Sequence, residues 1–114
     1  MQNRQDGGAN KREHYRIRYP LSCRPSLIVL NQKCEVVDIS EHGISFVCNK
    51  VHELHPDLEV EARITFKDGE SLNLEGKILR INKRIAVLYL PVSIPFGRIV
   101  AEQRLLKEEY PEYR

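Results

Sequence analysis

Two clusters of side chains in this sequence carry groups that could do chemistry. The first is Lys11-Arg12-Glu13-His14-Tyr15-Arg16, where Arg12 and Arg16 stand four residues apart, with Lys11 before them and Arg18 after. Guanidinium forks bond phosphate oxygens in pairs, match the O6/N7 edge of guanine and offer a flat face to a base. The second is Asp38-Ile39-Ser40-Glu41-His42-Gly43. It offers a carboxylate, a hydroxyl and, at Gly43, bare backbone that a ligand can approach. Alone, each has a plain structural reading. The first would be a solvated basic lead-in. The second would be a turn whose Asp and Ser bond back to the backbone and whose Gly takes φ > 0. Together they are complementary. The arginines serve phosphates and the Hoogsteen edge of a purine, Asp38 accepts from N–H donors such as guanine N1 and N2, and Ser40 adds one bond. Guanine is the base that presents both an acceptor edge and donors.

Other polar constellations carry less. His52-Glu53-Leu54-His55 lacks the His-Glu-x-x-His spacing of a helical zinc site, so no metal is expected there. His14 and His42 lie within the two clusters and border the candidate binding residues. No Ser stands in a Gly-x-Ser-x-Gly context and no pair of carboxylates stands out as acid and base, so the chain is not read as an enzyme. The three cysteines, Cys23, Cys34 and Cys48, have neither the number nor the spacing of a disulfide framework or a zinc knuckle. Each falls in or beside an expected strand, where a free thiol packs as a small apolar group, and a reducing compartment follows.

The elements that must position these groups fit one domain. A chain of 114 residues can bury a core without disulfides or metal. Net charge is +2, too small to suggest wrapping of nucleic acid, but it is uneven. Met1–Arg24 holds six basic residues against two acids, leaving a net −2 on the remainder, so an anion would go to the N-terminal end. Met1–Asn10 is polar with Gly7-Gly8 and reads as a disordered leader without a signal peptide. The longest uncharged run, Ile85–Gly97, is too short for a membrane span and contains Pro91 and Pro95. A cytoplasmic protein is the expectation.

Tyr15, Ile17 and Tyr19 alternate as in an extended segment ending at Pro20. Leu21–Leu30 reads as a strand interrupted by Pro25, with a tight turn at Asn31-Gln32. Lys33–Ile39 and Ile44–Cys48 read as strands, and Asn49–Leu58 as a loop. Glu59–Phe66 alternates with Val60, Ala62, Ile64 and Phe66 on one face. Lys67-Asp68-Gly69-Glu70 reads as a type I′ hairpin turn. Leu72–Ile81 follows, with Leu72, Leu74, Gly76, Ile78 and Arg80 on one parity and a bulge or bend at Gly76, and then Ile85–Leu90. Phe46, Phe66 and Tyr89 are placed in the core. Beyond Ser93 as N-cap, Phe96, Ile99, Val100, Leu106 and Tyr110 recur at helical spacing, with Glu102 among the polar positions. The expected fold is all-β with one C-terminal helix: a small six-stranded antiparallel barrel, closed because closure removes sheet edges. The expected organisation is a leader over 1–10, a ligand-binding segment over 11–20, the barrel over 21–91 and the helix over 93–110.

Arg12-x-x-x-Arg16 followed by Asp38-x-Ser40-x-x-Gly43 resembles the two-part motif of the PilZ domain, a family of bacterial receptors for cyclic di-GMP. The resemblance runs from about Lys11 into the C-terminal helix, and a six-stranded barrel followed by a helix is similar to that family's fold. It implies cyclic di-GMP as ligand and no separate cofactor. It implies that Arg12 and Arg16 grip phosphates and guanine edges, that Asp38 and Ser40 bond a guanine, and that Gly43 shapes the turn. Lys11 stands at the position that in the family influences whether one ligand or a stacked pair is held. A receptor of this size would signal to a downstream protein partner or to a second copy, as monomer or homodimer. Two other classes stay in view: a ligand-independent protein-interaction module on the same barrel, and a single-strand nucleic-acid binder. The latter is disfavoured by an aromatic content of 7%.

Overall fold

The computed structural model describes residues 16–110. Its elements are β1 (Ile17–Arg18), β2 (Ser26–Val29), β3 (Gln32–Ser40), β4 (Gly43–Val47), β5 (Glu59–Thr65), β6 (Ser71–Asn82), β7 (Ile85–Tyr89) and α1 (Phe96–Glu109), with 3₁₀ turns at Leu21–Cys23 and Val51–Glu53. All strand pairings are antiparallel, and the sheet order is β1-β3-β2-β5-β6-β7-β4, with β4 returning to β3. Six strands therefore close a barrel and the short β1 is an extra one. β3 is long enough to serve two partners along one edge. Gln32–Glu35 pair with β2, and Asp38–Ile39 pair with β1 where β2 has ended. β4 takes the opposite edge.

The interior is filled by alternate residues of the strands. Leu27, Val36, Ile39, Ile44, Phe46, Ile64, Ile78 and Leu88 are all fully buried. The three thiols are buried as expected. Burial pushes the Cys34 thiol up to about 12, helped by the neighbouring Cys48, whose own thiol burial also raises.

Several local expectations change. Pro20 and Pro25 frame a 3₁₀ turn, so the strand expected over Leu21–Leu30 is only Ser26–Val29. Its hairpin turns at Leu30 and Asn31, with φ of 49° and 64°, one residue earlier than expected. A two-residue turn with both φ positive matches the strand twist, and that requirement overrides Leu30's preference. At the β5–β6 hairpin only Gly69 has positive φ, at 95°. Its N–H bonds Phe66 O, and Phe66 N bonds Glu70 O, which is a type I turn closed by a left-handed glycine rather than type I′. Gly76 sits in regular pairing with Val60, and a Cβ there would stand 2.3 Å from the Tyr89 carbonyl oxygen. The bulge lies further on, between Ile78 and Arg80.

α1 begins at Phe96 with Pro95 as N-cap, so Ser93 caps nothing. It buries Ile99, Leu106 and, against expectation, Glu102. Glu102 accepts from the Tyr19 hydroxyl and from Arg98. Arg98 lies 4.1 Å over the Phe66 ring and reaches Asp68 at 3.0 Å and Glu70. Burial works against the Arg98 charge, but its bonds to Asp68 and Glu102 outweigh that and raise its pKa. The Glu70 backbone N–H and Arg98 hold the Asp68 carboxyl below its ordinary value. α1 is thereby fastened to the segment after β1 on one side and to the β5–β6 hairpin on the other.

Candidate functional site on the outer barrel face

Backbone irregularity, not regular alternation, aims the second cluster outward. Val36 and Ile39 both point into the core, paired with the buried Phe46 and Ile44. Strict alternation would give Asp38 the inward parity of Val36. An extra residue at Val37 shifts the register, so that Asp38 pairs with Ser45 and takes the outer face. The bulge at Leu79 does the same on β6: Ile78 points in, and Arg80 faces out opposite Val87. Arg80 thus lies on the other parity from Ile78, contrary to the sequence expectation.

Two rows of outward residues result. One runs Arg18, Asp38, Ser45, Val87, Arg80 across β1, β3, β4, β7 and β6. The other runs Ser40, Gly43, Tyr89, Lys77 across β3, β4, β7 and β6. Arg16, just before β1, joins them. Its Nη1 donates to Asp38 Oδ1 at 2.8 Å, with the arginine side chain half-exposed and the carboxylate mostly covered. The first cluster's last arginine and the second cluster's carboxylate therefore meet. Lys11 and Arg12 lie outside the described residues, as do His14 and Tyr15.

The turn itself is Glu41-His42, so Asp38 and Ser40 are strand residues and Gly43 opens β4. The chain leaving β7 holds this turn. Leu90 N bonds His42 O at 2.9 Å, Ile94 N bonds Glu41 O at 2.7 Å, and His42 Nδ1 lies 2.8 Å from Leu90 O. A carbonyl only accepts, so Nδ1 carries the hydrogen and Nε2 is left as the acceptor in the neutral ring. Gly43 is not in the left-handed region, so conformation does not demand a glycine there. A Cβ would lie 3.4 Å from Ser40 Oγ and 3.7 Å from Leu88 O, both ordinary contacts.

Tyr89 was missed. Rather than lying in the core it is 43% exposed, and its ring lies nearly parallel to that of His42, at 6.3 Å and 19°. The signal was available: Ala86 and Leu88 take the inner parity of β7, which sends Tyr89 out.

The PilZ domain family matches residues 10–103, nearly the whole chain. The chain belongs to the PilZ domain family. PilZ domains are binding domains for cyclic di-GMP rather than enzymes. Among solved structures, an uncharacterized protein of Legionella is similar over 82% of this chain and 96% of that one, with 18% identity and a TM-score of 0.55, which is a likeness of fold. No curated protein matches. Among the described residues of this PilZ domain no helix is long and apolar enough to cross a membrane, and no cluster of ligating side chains could hold a metal. A concavity of about 1020 Å³ is lined in part by Leu72, Leu74, Pro91 and Val92, and none of the described motif residues lines it.

Proposed function

We propose that this PilZ domain is a receptor for cyclic di-GMP, with Arg12, Arg16, Asp38, Ser40 and Gly43 as its binding residues and Lys11 beside them. The observation that carries this reading is the contact between Arg16 Nη1 and Asp38 Oδ1, which joins the two halves of the motif across 22 residues of chain. Without ligand these groups satisfy each other. A guanine can replace both partners at once, giving Arg16 its O6/N7 acceptors and Asp38 its N1/N2 donors. The exchange trades one part-buried ion pair for charge-assisted bonds to a ligand that covers the site. Arg12 and Lys11 add phosphate contacts, and Gly43 lets the ligand rest on backbone next to Ser40.

The same segment supplies a route to an output. Tyr19 N bonds Val37 O at the bulge, and the Tyr19 hydroxyl bonds the buried Glu102 of α1. Engagement of Arg16 thus pulls on a strand tied to the helix, and a downstream protein reads the altered surface. The test is calorimetric titration with cyclic di-GMP, GTP and a short oligonucleotide. Binding of cyclic di-GMP alone is expected. An Asp38→Ala variant should lose discrimination against cyclic di-AMP. Absence of cyclic di-GMP binding would overturn the receptor reading in favour of a ligand-independent protein-interaction module.

A further inference from the structure

We propose that Tyr89, braced by His42, is a stacking platform for a second base of the ligand, with Lys77 and Arg80 as the cations beyond it. This rests on the cyclic di-GMP reading and extends its site across the barrel face.

Four observations carry it. Tyr89 is paired with Gly43, in the same outward row as Ser40, so the bare glycine separates the base-reading hydroxyl from the ring. Adjacent strands lie about 4.8 Å apart, which puts Tyr89 roughly 10 Å from the β3 motif residues, a span one dinucleotide can cover. The ring is prepared: His42 lies nearly parallel to it, and His42 is itself clasped to Leu90 through both its carbonyl and Nδ1. An aromatic ring held half-exposed offers a π-face to a base at little further ordering cost. Finally, the next strand presents Lys77 opposite Tyr89 and, through the bulge at Leu79, Arg80 opposite Val87. Among the described residues neither has an ion-pair partner. Both stand where the distal phosphate or purine edge of a ligand anchored at Asp38 would fall.

The plain alternative is a surface tyrosine packed on a surface histidine. Titrations of cyclic di-GMP into the wild type, Arg16→Ala, Tyr89→Phe and Tyr89→Ala separate the two. Stacking predicts that Tyr89→Phe keeps wild-type affinity and that Tyr89→Ala loses roughly ten- to hundred-fold. It also predicts upfield shifts of the Tyr89 and His42 ring protons on saturation. A Lys77→Gln, Arg80→Gln double variant should weaken binding more at low salt than at high salt. If the wild type binds, Arg16→Ala weakens it and Tyr89→Ala equals wild type without ring shifts, the platform is wrong and the receptor reading stands. If the wild type does not bind, both fall.

Discussion

Arg98 and Arg16 both hold carboxylates, and they do so in opposite ways. Arg98 is 10% exposed, lies over Phe66 and reaches Asp68, Glu70 and the buried Glu102. Arg16 is 50% exposed and, among the described residues, makes one side-chain bond, to Asp38. Removing Arg98 strands the Glu102 charge away from water, whereas Asp68 and Glu70 keep contact with solvent. Removing Arg16 leaves the mostly covered Asp38 carboxylate without this partner, next to a position that is itself half-exposed. The first arrangement locks the helix to the barrel, and the second is cheap to undo. Under the proposed receptor reading the ligand-facing pair must be exchangeable and the frame must not be, so the same chemistry would serve at two depths.

The comparison breaks first, if it breaks, at Arg98→Ala. Leaving Glu102 buried with only Tyr19 should cost about 3–5 kcal/mol of folding stability. Urea denaturation measures it, and a loss under about 1 kcal/mol would class Arg98 with exposed pairs. The buried Arg98 Nε without a partner marks the fork as imperfectly satisfied, so Arg98→Lys, lacking the fork and the flat face, should fall between wild type and alanine.

Next in size is Gly76→Ala. The added methyl would stand 2.3 Å from the Tyr89 carbonyl and 2.9 Å from Leu88 Cδ1, in a backbone that cannot yield without shifting β7. A cost of about 1–3 kcal/mol is expected in the same denaturation assay. Because β7 carries Tyr89, this variant also displaces the outer face from within.

How much of this was legible in the sequence follows from which forces set each feature. The barrel was readable because Val60, Ala62 and Ile64 alternate cleanly, and hydrophobic alternation is a local signal of burial. The two motif halves were readable because their residue types and spacing resemble the PilZ family's, and Arg16 does meet Asp38. The bulges at Val37 and Leu79 were not. A bulge is an extra residue relative to a partner strand, and the partner is fixed only when the barrel closes. Glu102 was read as a surface residue for the same reason: its partners, Tyr19 and Arg98, include one that lies 83 residues away in sequence. Tyr89 was sent to the core by its type, although the parity of its own strand said otherwise.

Arg16→Ala should cost about 1–3 kcal/mol of folding stability, less than Arg98→Ala, since Arg16 is half-exposed and singly bonded although the Asp38 carboxylate it leaves is mostly covered. Its affinity for cyclic di-GMP should fall by about 1–3 kcal/mol if one bidentate contact to a base is lost. Denaturation and calorimetry on the same preparation give both numbers. A variant that lost stability as Arg98→Ala does would erase the contrast between the two arginines.

The smallest stability effect belongs to Gly43→Ala, and it sharpens the contrast most. Gly43 has no positive φ, and an added Cβ meets Ser40 Oγ at 3.4 Å and Leu88 O at 3.7 Å. Alanine here also removes freedom from the unfolded chain, which offsets the slight crowding, so the net change should stay within about 0.5 kcal/mol. Gly76 is demanded by the fold, whereas Gly43 is not. If the ligand rests on the backbone between Ser40 and Tyr89, the methyl intrudes on it, and affinity should drop about tenfold, equivalent to about 1.4 kcal/mol. A Gly43→Ala protein that is as stable as wild type and binds as tightly would mean that the ligand never comes down onto β4, and the row from Ser40 to Tyr89 would then lose its claim to be one continuous surface.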